Sequence, residues 1–454
     1  MTAVDRTRGA GDPAAAPQRG SVLAPVLFTL RTKGTRGLAT RVVTVGTRFG
    51  PTPLVLRRRL DRMIDEAAHH GFRPTCPITT TVLVRHPDTV RALADRGMEI
   101  AVHGLRHNDH LAMDAELQRR EIQQAVALFR RCGIEPAGFR APYLRADERT
   151  RAAVRAAGLA YQSDDAVVFD TDRLQGIAAG TEPYRLAVEM YAARPAASTT
   201  TRPSLDDGLV RIPVCLPDDE MLVDRLHLPE DAIAEVWQQI LAGTHARGDL
   251  FTMQIHPERF VKSLAAVRSV LTEASSLGTV WTARLDEIAQ WWRARAACRI
   301  EKGRRDGRTR FALAGDSRAR MRLVGGPNMK GPGRAPVRSM TLPDDRLPAV
   351  GLAQGTPETV RRLLVEDGFL VVTDPDVACA VQLPATVDAT DELALRTRVL
   401  QAERPVLAVD RWPYGTQSAL ALTGDIDSLT IQDFFHRVRE NARGVPAWLT
   451  GGVR

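Results

Sequence analysis

Residues 99–107 read EIAVHGLRH, a short apolar run that leads directly into two histidines four residues apart. Two imidazoles at this spacing can meet one cation if the backbone between them makes a single turn, and neutral imidazole suits Zn²⁺ and similar ions. The same spacing also occurs in surface histidines and in histidines that cap helices. The pair alone therefore leaves a metal site and an ordinary turn open, and the residues around it must decide.

Strand-like and helix-like segments alternate from about residue 21 to residue 298. Apolar runs predict strands at 26–30, 42–45, 77–83, 99–102 and 250–255. Apolar positions with a helical period predict helices at 54–70, 87–96, 149–157, 229–241 and 285–295, and a further long helix that Asp114 caps. Repeated strand–helix units of this kind predict an α/β fold with a parallel sheet.

Polar side chains follow three of the predicted strands. His103 follows the strand at 99–102, Arg140 ends a short strand that begins at Gly138, and His256 follows the strand at 250–255. In parallel α/β folds the reactive groups gather at the carboxyl ends of the strands, where the loops are free to vary. Core packing does not require polar groups at these places, so the pattern predicts the rim of an active site.

The composition is that of an ordinary soluble protein, with 44% hydrophobic and 26% charged residues and a formal net charge of +8. Aromatic residues make up only 5%, and no basic stripe is interleaved with aromatics, which argues against nucleic-acid binding.

The five cysteines form no Cys-x-x-Cys pair, which argues against a disulfide framework and a structural zinc site. No apolar run approaches the roughly 20 residues of a membrane span. Residues 1–20 lack an apolar signal region, so we expect a disordered tail and a cytoplasmic protein.

The pattern changes after about residue 300. Alternating residues predict strands at 308–313 and 319–324, followed by a helix at 356–368 and strands at 369–372 and 405–409. The Gly/Pro-rich segment 325–336, with Lys330 and Arg334, could hold an anion but matches no phosphate-loop spacing, so it is interpreted as a turn or linker.

Residues 175–208 are interpreted as a long loop. Trp291 and Trp292 are expected to pack in a core or between domains. These patterns predict a main α/β domain at 21–298, a β-rich or α/β accessory domain at 299–410, and a strand–helix unit at 411–454.

Together the motifs resemble one known family. Residues 97–107 resemble the metal-binding motif of the polysaccharide deacetylase (NodB homology) family, 139–143 are similar to its Arg-x-Pro motif, and 254–257 resemble the strand with its late histidine. Their order over residues 25–295 matches the core of that family. The resemblance implies a distorted parallel (β/α) barrel, a divalent metal (zinc before cobalt or nickel) and removal of an N-acyl group from an amino sugar or a related small glycoside or amide.

The first motif of the family is missing from its usual place. The family implies two aspartates after the first strand, but Arg31, Thr32 and Lys33 stand there, and cations would repel a metal ion. A strand-like run at 418–423 ends instead in Asp425 and Asp427, which resembles the missing motif displaced to the C-terminus. We therefore predict a circular permutation that completes the barrel with residues 411–454. Two alternatives stay open: the aspartates merely cap the following helix, or the segment is the relic of a second deacetylase domain.

The resemblance also implies a role for each side chain. The implied metal ligands are Asp427, His103 and His107. Asp425 would be the general base, Arg140 would orient it and keep it ionised, and His256 would protonate the departing amine. The backbone N–H of Tyr143 would help to stabilise the oxyanion. Further candidates are Asp164 or Asp165 as the partner of His256, with a place in a surface loop as the open alternative for both. Asp109 and His110 are spare candidates for metal ligands.

A second function is compatible with the same sequence. If Arg31 and Lys33 have replaced the acidic pair, the protein is a catalytically inactive deacetylase fold that binds a carbohydrate or a partner protein. Metal content would separate this function from a hydrolase. The expected ligand in either case is a small or sugar-containing molecule, and the sequence does not predict the oligomeric state.

Overall fold

The computed structural model describes residues 46, 48–175, 177, 181–326, 335–343 and 347–443. The helices are α1 Leu54–His69, α2 Thr80–Arg85, α3 Pro87–Ala94, α4 Ala115–Arg131, α5 Glu148–Ala156, α6 Glu182–Met190, α7 Glu230–Arg247, α8 Leu264–Ser276, α9 Leu285–Ala296, α10 Glu358–Glu366, α11 Glu392–Leu400 and α12 Ile431–Arg443. The strands of the main sheet are β1 Thr75–Ile78, β2 Glu99–Val102, β3 Gly138–Phe139, β4 Tyr161–Gln162, β5 Ala166–Val168, β6 Arg194–Pro195, β7 Ser204–Asp206, β8 Leu209–Arg211, β9 Val214–Leu216, β10 Leu250–Ile255, β11 Val280–Thr282 and β20 Ser418–Gly424. The remaining strands are β12 Arg299–Arg305, β13 Arg308–Ala314, β14 Met321–Val324, β15 Ser339–Leu342, β16 Leu347–Leu352, β17 Val371–Val372, β18 Cys379–Leu383 and β19 Val406–Val409.

One 12-stranded sheet organises the main part of the chain, in the order β6-β5-β9-β10-β20-β1-β2-β3-β4-β8-β7, with β11 paired to β20. All of its pairings are parallel except that of β7 with β8. Helices connect successive parallel strands, as parallel pairing requires. The α/β fold class of the deacetylase-type barrel is therefore confirmed, with further strands added to it.

The last strand of the described residues, β20, lies in the middle of this sheet. β20 pairs with β10 over six residues, from Leu250↔Ala419 to Ile255↔Gly424, and with β1 at Thr75↔Thr423. All seven of its residues are buried. A central parallel strand is covered on both faces, which explains why this run is almost continuously apolar. The C-terminal segment thus belongs to the same sheet as the strands that begin the described chain.

Alternate residues of β20 enter two different cores. Leu420 and Leu422 pack with the helices that cover the sheet, whereas Ala419 and Ala421 belong to a second core with Trp291. Successive strand residues point to opposite faces, so the alternation of large and small residues matches the space on each side. The expectation that the paired tryptophans pack in a core agrees with their exposures of 0% and 1%.

The local helix signals act as expected. In α1 the buried residues recur at helical spacing, and the chain leaves the helix through Gly71 at φ 81°. Glycine tolerates this left-handed conformation without a steric cost. Asp114 caps α4 by accepting a hydrogen bond of 2.8 Å from the N–H of Leu117. No described helix combines the length and the apolar composition that a bilayer span requires.

Two predictions about local structure are wrong. The strand predicted at 77–83 ends at Ile78, and α2 follows, because the N–H groups of Thr80 and Thr81 donate to the carbonyls of Gly104 and Leu105. These tertiary bonds override the strand preference of β-branched residues. The segment 175–208 holds α6 and two short strands, and α8 was not predicted. The predicted strands at 26–30 and 42–45, the tail 1–20, Arg31, Lys33, Lys330 and Arg334 lie outside the described residues.

Three small sheets are formed by the described strands that lie between β11 and β20 in the chain. Their orders are β12-β13-β15, β14-β19 and β17-β16-β18. Phe311 and Leu323 from these strands share a core with Trp292 of α9 and with Trp412, whose ring lies 5.8 Å from that of Trp292. β13 and β14 are therefore packed against the main domain, whereas β16 and β18 contribute to a separate core. The boundaries at 298/299 and 410/411 stay a prediction. All five cysteines are free.

Candidate metal centre and active site

The carboxyl ends of four neighbouring strands bring the predicted site residues together. β2 leads into His103, β3 into Arg140, β10 into His256 and β20 into Asp425. These strands are close neighbours in the sheet, so the side chains that follow them share one edge. A cavity of about 450 Å³ opens there, and its lining includes His103, His107, Tyr143, His256, Asp425 and Asp427.

Two imidazoles and one carboxylate form the centre of this site. The Oδ1 atom of Asp427 lies 3.4 Å from Nε2 of His103 and 3.4 Å from Nε2 of His107. The Nδ1 atom of His103 lies 2.8 Å from the carbonyl oxygen of Arg140. Because a carbonyl only accepts, this nitrogen carries the proton, and Nε2 keeps its lone pair for the cluster.

The geometry of these three side chains fits a divalent cation. Oδ1 of Asp427 is buried and has no hydrogen-bond partner, which is costly for an ionised oxygen. Two ligands at about 2.1 Å from a tetrahedral zinc ion lie about 3.4 Å apart. The 3.4 Å distances from Oδ1 of Asp427 to the two Nε2 atoms equal this value. A ligand set of His103, His107 and Asp427 therefore fits a catalytic metal with a position left for water.

The protonation states of the site support the same set. Burial lowers the pKa of His107 to about 3, so its imidazole is neutral at physiological pH. Burial also acts to lower the pKa of His103, but the neighbouring Asp425 and Asp427 outweigh it and raise that pKa above its usual value. Without a metal, a proton therefore competes for Nε2 of His103, and acidic pH disfavours metal binding.

Asp425 is held firmly beside the centre. Its Oδ1 accepts a hydrogen bond of 2.8 Å from Nη1 of Arg140, its Oδ2 accepts one of 2.9 Å from Gln254, and Oδ2 lies 4.0 Å from Nε2 of His103. Arg140 is fully buried and also donates to the carbonyl of Ser163 and to the hydroxyl of Thr423. The guanidinium thus fixes the carboxylate and compensates its charge.

The predicted partner of His256 is wrong. Asp219, rather than Asp164 or Asp165, lies 2.6 Å from Nδ1 of His256, and it also accepts from the backbone N–H of that residue at 2.8 Å. Asp164 accepts instead from the N–H of Ala141, and Asp165 pairs with a different arginine. Asp219 lies just after β9, at the kind of strand end where the sequence analysis looked for reactive groups. It was missed because β9 itself was not predicted.

Asp219 also determines the charge of His256. Burial acts to lower the pKa of His256, but the carboxylate of Asp219 outweighs it and raises that pKa to about 10. The imidazole is therefore protonated at neutral pH. A protonated imidazole at the rim of the cavity is a proton donor for a ligand bound there.

Tyr143 is held in an uncommon backbone conformation beside the metal ligands. Its φ is 61°, in the left-handed region that non-glycine residues rarely adopt. Its ring lies 4.4 Å from that of His107 in an edge-on arrangement. Strained backbone of this kind persists only where the surroundings enforce it, and it concentrates at functional sites.

The spare metal candidates lie outside the ligand cluster. Asp109 pairs with Arg145 at 3.0 Å and accepts from the N–H of Leu111. His110 is buried against the ring of Phe139, and burial lowers its pKa to about 4. Among the described residues, the grouped ligand atoms here are those of His103, His107 and Asp427.

Sequence reasoning missed Arg437. This residue of α12 donates from Nη1 to Oδ2 of Asp427, and its guanidinium lies 5.4 Å from the ring centre of Phe434. The hydrogen bond occupies the oxygen that does not face the histidines, so Oδ1 remains directed at the metal position. The signal available in the sequence was that Arg437 lies in the predicted helix that directly follows the Asp-x-Asp motif.

The comparisons with known proteins agree with these motifs. Residues 50–162 match the family model described as polysaccharide deacetylase, a range that includes His103, His107, Arg140 and Tyr143. No curated protein matches the chain.

Similar solved structures include a putative polysaccharide deacetylase from Mycobacterium smegmatis, with 22% identity, a TM-score of 0.41, and coverage of 60% of this chain and 87% of that one. An allantoinase matches with 20% identity and a TM-score of 0.41 over 54% of this chain and 72% of its own. A family 4 carbohydrate esterase from Streptomyces lividans, solved with acetate, matches with 16% identity and a TM-score of 0.30 over 48% of this chain and 83% of its own. The family match at residues 50–162 thus shows that this part of the chain is similar to the polysaccharide deacetylase family.

Proposed function

We propose that this protein is a metal-dependent amide hydrolase that removes an N-acetyl group from an amino sugar or a related small amide. The observation that carries the proposal is the buried oxygen of Asp427, which has no hydrogen-bond partner and lies 3.4 Å from Nε2 of both His103 and His107. A buried carboxylate oxygen that accepts no hydrogen bond is costly, and a cation bound between it and the two imidazoles would remove that cost. The similarity to the polysaccharide deacetylase family gives the reaction class.

The metal would be held by the side chains of His103, His107 and Asp427. When bound, a divalent cation (zinc before cobalt or nickel) supplies positive charge that makes a water molecule more acidic and polarises the acyl carbonyl. Asp425 lies beside this position and accepts the proton of the attacking water. Arg140 orients the Asp425 carboxylate and compensates its charge through the 2.8 Å hydrogen bond.

A different group in the lining of the cavity supplies the second proton transfer. His256, held protonated by Asp219, donates its proton to the nitrogen that leaves, since an amine leaves poorly as an anion. The backbone N–H of Tyr143 donates to the oxyanion that develops on the carbonyl oxygen. The base is then a carboxylate held by Arg140, and the acid is an imidazole held by Asp219.

The cavity suits a substrate the size of one or two sugar rings. Its volume of about 450 Å³ lies in the range of small-molecule sites. Tyr143, Tyr191 and Phe434 provide apolar and aromatic surface in its lining. Aromatic faces of this kind support a sugar ring, while the charged groups of the centre contact the acylamino group.

The experiment is an assay of acetate release from N-acetylglucosamine and its short oligomers, with protein stripped of metal and reloaded with zinc, cobalt or nickel. We expect activity only after reloading, and a loss of at least about 100-fold for Asp425→Asn, because general base catalysis contributes about 10²–10⁴-fold. The matched control is Asp165→Asn, whose carboxylate pairs with Arg211 outside this cavity.

Two outcomes would contradict the hydrolase. If no acylated sugar or small amide releases its acyl group with any of these metals, the proposal is wrong. If the protein then binds the same sugars without hydrolysis, the catalytically inactive binding protein is the correct function. Equal activity of Asp425→Asn and the control would remove Asp425 from the mechanism.

A further inference from the structure

A second cavity lies apart from the proposed active site and is rich in arginine. It has a volume of about 430 Å³ and shares no lining residue with the first. Its arginines are Arg247 at the end of α7, Arg322 of β14, Arg396 of α11, and Arg411. The cavity therefore lies where the main sheet's helices meet the accessory strands.

The charges around this cavity do not balance. Six arginines are in or directly behind it: Arg202, Arg247, Arg295, Arg322, Arg396 and Arg411. Four carboxylates lie within ion-pair distance of these arginines: Asp249, Glu366, Asp367 and Asp410. Glu392 also acts on Arg202, but its ion pair is with Arg194, which is not one of the six. Six positive and four negative charges leave an excess of two positive charges. Asp249 and Asp367 each already serve two arginines.

Arg396 carries much of this excess. Its Nη1 donates to the carbonyl oxygen of Arg247, but its Nε is buried without a hydrogen-bond partner. Within the described part of the chain, no carboxylate lies within ion-pair distance of Arg396. Burial lowers the pKa of Arg396 to about 10, and the neighbouring charge of Arg411 acts in the same direction. Asp367 and Asp249 act in the opposite direction from beyond ion-pair distance, so the guanidinium has carboxylates nearby but no ion pair of its own.

The arginines are also fixed in position, as a binding site requires. Arg411 is only 6% exposed and is anchored by Asp249 at 2.7 Å and Asp367 at 2.6 Å. Arg322 is anchored by two contacts with Asp410. Anchored guanidinium groups lose little entropy when an anion binds, and their planar donors match the oxygens of a phosphate.

We propose that this cavity binds a phosphorylated small molecule, with the phosphate at Arg396 and Arg411. Val324, Phe369 and Leu400 line the same cavity and would contact the organic part of the ligand. A multiply charged anion matches the excess of two positive charges, which a single carboxylate does not. The site is separate from the proposed active site, so this inference does not depend on the deacetylase activity.

The test is isothermal titration calorimetry of the full-length protein with sodium pyrophosphate, at about 0.15 M salt to screen weak surface binding. We expect one site in the wild type, with binding at least about tenfold weaker in Arg396→Gln because a charge-assisted contact is lost. The matched control is Arg398→Gln on the same helix, whose exposed side chain should leave binding unchanged. Thr416→Glu, which adds a carboxylate to the cavity wall, should abolish binding and serves if Arg396→Gln does not fold.

Three results would overturn the proposal: no binding of pyrophosphate by the wild type, equal weakening in Arg398→Gln, or full binding by Thr416→Glu. A parallel titration with citrate separates the possible ligands. If citrate binds as tightly as pyrophosphate, the cavity recognises carboxylates and the assignment to a phosphorylated molecule is wrong.

Discussion

Replacing the proposed carboxylate ligand is the sharpest test of the metal centre. Asp427→Asn keeps the size of the side chain and removes the charge from the oxygen that lies 3.4 Å from both imidazoles. Changing a group that merely supports a metal ligand lowers metal affinity about 10–100-fold. Loss of a charged ligand itself should therefore lower the affinity at least about 100-fold.

The expected size of the effect on stability follows from mass action. At free zinc about 1,000 times the wild-type dissociation constant, binding stabilises the wild-type protein by about 4.1 kcal/mol. At the same free zinc, a site at least about 100-fold weaker provides about 1.4 kcal/mol or less. The zinc-dependent part of the free energy of unfolding should thus fall by about 2.7 kcal/mol or more in Asp427→Asn.

The assay is chemical denaturation with and without zinc, together with the metal content of the purified protein. Asp109→Asn is the matched control, because Asp109 lies nearby but pairs with Arg145 outside the ligand cluster. The control should keep the full zinc increment. If Asp427→Asn keeps it as well, or if the wild type binds no divalent metal, the reasoning about His103 and His107 is refuted.

Further changes test the groups around the metal position. Arg140→Met should destabilise the fold by about 3–5 kcal/mol, because it leaves the charge of the buried Asp425 uncompensated. Urea denaturation measures the free energy of unfolding, and a decrease below about 1 kcal/mol would contradict the prediction. Asp219→Asn removes the charge that holds the pKa of His256 near 10, so the alkaline limb of kcat should move to lower pH, and an unmoved limb would exclude His256 as the acid. The same pair stabilises the fold fully below the ordinary histidine pKa of about 6.5 and loses this effect as pH rises through about 10, so Asp219→Asn should flatten that part of the stability profile. Arg437→Gln removes a positive charge that is hydrogen-bonded to the proposed ligand Asp427, so zinc should bind several-fold more tightly. Competition with a chelator measures this affinity. Weaker binding in the variant would show that Arg437 acts by orienting the carboxylate and not through its charge.

Several parts of the molecule follow from local sequence patterns. The helical period of α1, the Asp114 cap of α4 and the apolar run of β20 each act over neighbouring residues, and the structure contains all three elements. The histidine spacing at 103–107 and the Arg-x-Pro motif lie within the range of the family match. These features could be predicted from the sequence because each depends on interactions within a few residues of the chain.

Other parts depended on the tertiary structure. The sequence contains Asp425 and Asp427, but only the order β10-β20-β1 puts them beside histidines more than 300 residues earlier. A parallel ladder pairs backbone groups that are similar in every strand, so local pattern does not encode which strand lies next to which. The same holds for Asp219 as the partner of His256, and for the surplus charge of Arg396, which exists only because its neighbours' carboxylates are already paired. Sequence alone determined which chemical groups this protein has, and packing over long distances decided which of them meet.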